Sequence, residues 1–138
     1  MGRSPETVSR MNRYKDWFEQ AKRDLDHARK SLEMEDYEWA CFAAHQGAEK
    51  AVESLFMKWG EIAWGHSVYE LLKNLPENVK PDNPFIDKVK TLDKYYIPPR
   101  YPNAHPSGPS YQYYSEEDAK EAISIAREVI EYCGSKGL

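Results

Sequence analysis

Ala40-Cys41-Phe42-Ala43-Ala44-His45-Gln46-Gly47-Ala48-Glu49-Lys50-Ala51 is rich in residues too small to fill a core by themselves. Ala40, Ala44, Gly47, Ala51 and Leu55 recur on one side of a 3.6-residue helix, and Ala48, Val52, Phe56 and Trp59 form a second stripe beside it. Small side chains let neighbouring backbones come close, so the pattern predicts a central helix over about 37–59, opened by Asp36 and ended by Gly60. A third side carries Phe42, His45, Gln46, Glu49 and Glu53. His45, Gln46 and Glu49 fall within one turn and read either as a solvent-exposed flank or as a polar cluster facing a site. His45 and Glu49 have no third ligand at a suitable local spacing, so no metal site is expected, and no cofactor.

On the N-terminal side, Tyr14, Trp17, Phe18, Ala21, Leu25, Ala28 and Leu32 repeat at three and four residues, which predicts a long amphipathic helix ending near Met34. Ser4-Pro5-Glu6 has the form of an earlier helix start, and residues 1–10 are expected to fray. The basic residues here interleave with acids, as on a solvated face. On the C-terminal side, Ser67 with Glu70 three residues on predicts a capping box and a short helix after His66. Asn83-Pro84 reads as a cap and first helical residue, followed by inward Phe85, Ile86, Val89 and Leu92. Ser115 with Asp118 predicts a second capping box, and Ala119, Ala122, Ile123, Ala126, Ile130 and Cys133 form the last apolar stripe. No stretch alternates like a strand. The expected fold is all-α: one domain, an up-and-down antiparallel bundle of about five helices, with its core over about 13–133.

Between the last two helices lies Tyr95-Tyr96-Ile97-Pro98-Pro99-Arg100-Tyr101-Pro102-Asn103-Ala104-His105. Its prolines forbid a regular helix and restrict the backbone, while its aromatic, Arg and His side chains exceed what a connection needs. Such a loop on a helical scaffold is a place for function. Tyr95, Tyr96 and Tyr101 are candidates to stack on a base or to pack the loop onto the bundle, with Asn103 beside them.

A net charge of −4 over 138 residues argues against a general duplex-DNA binder, which needs a basic face, but leaves room for a local RNA site. Cys41 and Cys133 sit far apart in helical patterns and read as reduced core residues, as in a cytoplasmic protein. No apolar run approaches a membrane span of about 18 residues, and no signal core opens the chain.

In four places the chain resembles the HEPN domain family. These are Gln46…Glu49-Lys50-Ala51, His66-Ser67-Val68…Leu71, Leu92…Tyr95…Arg100-Tyr101-Pro102, and the helix entered at Tyr114-Ser115-Glu116-Glu117-Asp118-Ala119. The resemblance implies a helical bundle that is a homodimer, and pairing with a minimal nucleotidyltransferase in a toxin–antitoxin module. It also implies, for many members, metal-independent endoribonuclease activity from an Arg followed by a His four to six residues on. Arg100 and His105 fit that spacing. The chain departs from toxin members in having Tyr101 after the Arg, and Pro102 and Pro106 where they start a helix. Two functions follow from the resemblance: RNA cleavage, or a non-catalytic module that binds a nucleotide or partner protein through the same loop. Apart from both, Arg100 has a purely structural reading, in which it pairs with a helix C-terminus or a carboxylate and anchors the loop.

Overall fold

A computed structural model describes residues 13–138; the expected helix start at Ser4-Pro5-Glu6 and the fraying segment 1–10 lie outside them. Five α-helices follow: α1 (Tyr14–Glu33), α2 (Tyr37–Lys58), α3 (Val68–Lys73), α4 (Asn83–Asp93) and α5 (Glu116–Gly134). Among the described residues there is no strand. None of these helices is long and apolar enough to cross a membrane.

The alanine-rich helix is central. α2 packs against α1 on one side and α5 on the other, and also meets the shorter α3 and α4. Ala40, Ala44, Ala48 and Ala51 are fully buried, as are Ala21 and Ala28 from α1 and Ala119, Ala122 and Ala126 from α5. The approach is close at Gly47, where a Cβ would stand 3.0 Å from the Ala21 carbonyl oxygen. At this point the backbones of α1 and α2 nearly touch. Larger side chains fill the layer where α3 and α4 close the bundle: Leu55, Val68, Leu71, Leu72, Ile86, Val89 and Leu92 are all at most 2% exposed. Cys41 and Cys133 are free thiols within this core, and burial pushes the Cys41 thiol up to about 12.

The helix ends obey local chemistry, with two departures from expectation. Gly60 takes φ 72°, a conformation that suits glycine, just past the end of α2. Ser115 and Asp118 form the full capping box, at 3.1 and 3.0 Å. At α4 the cap is Asp82, not Asn83: its carboxylate accepts from the Phe85 amide at 2.9 Å. Pro84 is then the second helical residue, where a backbone N–H has no partner to lose. At α3, Ser67 Oγ accepts from the Glu70 amide at 3.1 Å, but the second acceptor is Asp93 from α4 rather than Glu70.

Candidate functional site

Residues 94–115 between α4 and α5 run as three single 3₁₀ turns, Pro98–Arg100, Pro102–Ala104 and Ser110–Tyr113. The prolines at the starts of the first two preset φ and supply no amide, which favours separate turns over a continued helix. Tyr95, Pro99 and Ser110 are the points at which the segment is buried. Tyr95 is only 3% exposed, with its hydroxyl buried among the core side chains. Burial, reinforced by nearby Asp118 and Glu121, pushes that phenol up. Tyr95 therefore packs the loop onto the bundle, one of the two roles its sequence position left open.

Arg100 is oriented by the loop itself. Its Nε donates to the Tyr96 carbonyl at 3.0 Å, and its guanidinium lies 4.7, 4.8 and 5.4 Å from the ring centres of Phe42, Tyr96 and Tyr101. Cation–π contacts of this kind fix a planar cation without neutralising it. No carboxylate among the described residues pairs with it. His105 is held separately. Its Nε2 donates to the Pro98 carbonyl at 2.9 Å, so in the neutral ring the lone pair is on Nδ1. The ring stacks on Tyr113 at 4.2 Å and meets Tyr114 edge-on at 5.7 Å. It borders a cavity of about 310 Å³ shared with Lys94, Tyr95 and Asp118. Arg100 and His105 thus share no hydrogen-bond or ring partner among the described residues. Tyr101 and Asn103 are exposed at the outer edge of the loop.

Beneath Tyr96 lies the cluster from the third side of α2. His45 is fully buried and Glu49 is 5% exposed, so this side is not a solvated flank. His45 Nδ1 stands 3.0 Å from Gln46 Oε1 and 3.8 Å from Glu49 Oε1, and its Nε2 stands 3.1 Å from the His66 carbonyl and 3.6 Å from Asp93 Oδ1. Glu49 Oε2 meets His66 Nδ1 at 3.0 Å, while Oε1 has no hydrogen-bond partner. The His66 ring then stacks on Tyr96 at 4.8 Å. A continuous chain runs from buried Glu49 through His66 and Tyr96 to the Arg100 guanidinium. Among the described residues no three His, Cys, Asp or Glu side chains are arranged to hold a metal ion.

The sequence reading missed Asp93 and Phe42 as parts of this site. A signal for Asp93 existed: an acid at the last position of a helix opposes the helix dipole and needs another partner. Asp93 finds it at the start of α3, accepting from Ser67 Oγ at 2.8 Å, Val68 N at 2.7 Å and Tyr69 N at 3.2 Å. Burial raises its pKa, but the bonds from His45, Ser67, Val68 and Tyr69 outweigh that and hold it below the ordinary value. A depressed folded-state pKa gives stability that is present above the unfolded value, near ~3.9, and fades as pH falls through the folded one. Asp93→Ala is therefore expected to cost about 1–3 kcal/mol at pH 7, and less at pH 3. Urea unfolding of both proteins at the two pH values measures this, and an equal gap at both would refute the assignment.

The HEPN domain family model matches residues 14–136. The chain is 26% identical to MJ1304 of Methanocaldococcus jannaschii, named as a candidate toxin, over 125 residues covering 83% of this chain and 82% of that protein. The crystal structure of TT1696 from Thermus thermophilus superposes with a TM-score of 0.87 at 47% identity, covering 91% of this chain and 98% of that one. An archaeal HEPN homologue, ST0689, gives 0.73 at 38% identity, covering 89% and 96%. A HEPN domain protein from Thermotoga maritima, tm0613, gives 0.70 at 35%, covering 88% and 96%. The chain belongs to the HEPN domain family.

Proposed function

We propose that this protein is a toxin-like HEPN protein that cleaves RNA without a metal ion, with Arg100 on the scissile phosphate and His105 moving the proton. The observation that carries this reading is the state of Arg100. Its Nε is tied to the Tyr96 carbonyl and its plane is framed by aromatic rings, while its terminal amino groups have no partner among the described residues. A guanidinium prepared in this way presents a fork to phosphate oxygens and stabilises charge added during attack. MJ1304, a relative along most of its length, is named as a candidate toxin, which agrees with this role.

In the reaction, the neighbouring 2′-oxygen bonds to phosphorus as the bond to the 5′-oxygen breaks. His105 Nδ1 takes the 2′-hydroxyl proton, and an imidazolium returns one to the 5′-oxygen. A homodimer that sets two such loops side by side supplies both imidazoles, with Arg100 of each protomer on the phosphate. A minimal nucleotidyltransferase is the antitoxin partner this reading expects.

The test is cleavage of single-stranded RNA in chelator. Wild-type protein is expected to cleave, and Arg100→Ala to bind and cleave poorly with unchanged helicity. Cleavage that stops in chelator and returns with Mg²⁺ would overturn the metal-free mechanism. The second reading, a non-catalytic nucleotide-binding module, is favoured by one feature: His105 is pinned by the Pro98 carbonyl and stacked on Tyr113, as a structural residue is. Nucleotide binding that needs Arg100, with no RNA cleavage, would establish it.

A further inference from the structure

The aromatic surface that holds Arg100 does not end at the loop. Phe42 carries the guanidinium at 4.7 Å and meets Trp39 edge-to-face at 6.2 Å. Trp39, Phe42 and Gln46 follow one another along the outer side of α2, at steps of three and four residues. With His27 from α1 they line an open groove of about 270 Å³, whose lining also includes the ion pair of Lys50 with Asp24. That volume is near the lower bound of ligand clefts, about 300 Å³. Trp39 is 47% exposed, an unusual state for an indole in the first turn of the most buried helix.

The lining chooses among occupants. Apart from Ala43 it contains no aliphatic side chain, so it is poorly suited to an apolar peptide helix. It offers ring surface, an imidazole and the Gln46 amide, whose Oε1 faces His45. Ring faces take up any base by stacking, and an amide meets a base edge, provided the base is unpaired. Because Phe42 belongs to both the groove and the Arg100 site, the groove adjoins the place where a phosphate would reach Arg100.

We infer that the groove between α1 and α2, floored by Trp39 and Phe42, is a stacking subsite for an unpaired base next to the phosphate held by Arg100. The inference rests on the phosphate role proposed for Arg100, and adds that the substrate is single-stranded and is gripped by a base as well as by its backbone. His27 and Gln46 give the subsite its polar edge.

The experiment is equilibrium binding of a short single-stranded RNA, 2′-O-methylated to prevent cleavage, to the full chain. Trp39→Ala is expected to weaken binding about 5- to 100-fold, the worth of one stacked base, with helicity retained. Trp39→Phe should keep binding within about three-fold, because a ring face remains. The same oligonucleotide made abasic at each position in turn should, at one position, bind wild type as weakly as Trp39→Ala does. Duplex RNA should bind more weakly and be indifferent to Trp39. If Arg100→Ala weakens binding but Trp39→Ala does not, this inference falls and the function proposed above stands. Unchanged binding in Arg100→Ala would overturn the function itself. Wild-type affinity for duplex equal to that for single strand would also sink the subsite.

Discussion

His105→Ala is expected to lower the rate of RNA cleavage by about 10²–10⁴, the usual worth of a general acid or base, while leaving the fold intact. The fold should survive because the ring is half-buried at the surface loop, where its bond to the Pro98 carbonyl and its stack on Tyr113 tie down local chain only. The proposed reaction needs both a base and an acid, and one loop supplies a single imidazole, so the reaction draws on two protomers. Mixed dimers sharpen the test. If both imidazoles act in one site, dimers with a single intact His105 should fall well below half of the parental rate. A rate of one half would mean independent sites, and a monomeric active protein would end the shared-site idea. Arg100→Lys is a useful companion: it keeps the charge but loses the planar fork and the ring contacts, so most of the effect of Arg100→Ala should remain.

Gly47→Leu should be among the most damaging single changes to stability. A Cβ at this position already stands 3.0 Å from the Ala21 carbonyl oxygen and 3.5 Å from the Leu25 amide nitrogen, both of them backbone atoms that cannot swing aside. Three further carbons would force α1 from α2 along the contact on which the bundle is centred. Overpacking of this kind costs about 1–3 kcal/mol and occasionally more, against a total stability of about 5–15 kcal/mol. The expected loss lies at the upper end of that range or above it, read as a lowered urea midpoint. Gly47→Ala should cost less than Gly47→Leu, since it adds the Cβ alone and gains up to about 1 kcal/mol in helix propensity. A midpoint for Gly47→Leu equal to that of wild type would show that the two helices are not in the close contact described.

Much of the bundle was legible because its signals are local and periodic. The stripes on α1, α2 and α5 and the Ser115–Asp118 box each depend on residues within a turn or two of one another. The misread cap at α4 shows the limit: Asp82 and Asn83 are both good caps, and only the extended backbone at Asp82 decides between them. The polar cluster was legible as a list, His45, Gln46 and Glu49, but not as a buried site. What buries it is His66, Asp93 and Tyr96, up to 51 positions away in sequence and brought over α2 only by tertiary packing. Tyr95 and Tyr96 make the point at closest range. They are chemically identical neighbours, yet one is in the core and the other lies between His66 and the Arg100 guanidinium. Nothing in their composition separates them; the direction in which the chain leaves α4 does.

Both side chains of the proposed chemistry hang from main-chain oxygens, Arg100 from that of Tyr96 and His105 from that of Pro98. A carbonyl is present whatever residue carries it. The anchoring of the imidazole is thus blind to the identity of residue 98 so long as the chain follows the same path. It is not blind to length: one residue added or removed between 98 and 105 would carry the ring away from its acceptor and from Tyr113. Descendants of this sequence can therefore drift in the spelling of the loop far more freely than in its count, and a chain with a gap here would have to find the imidazole another acceptor.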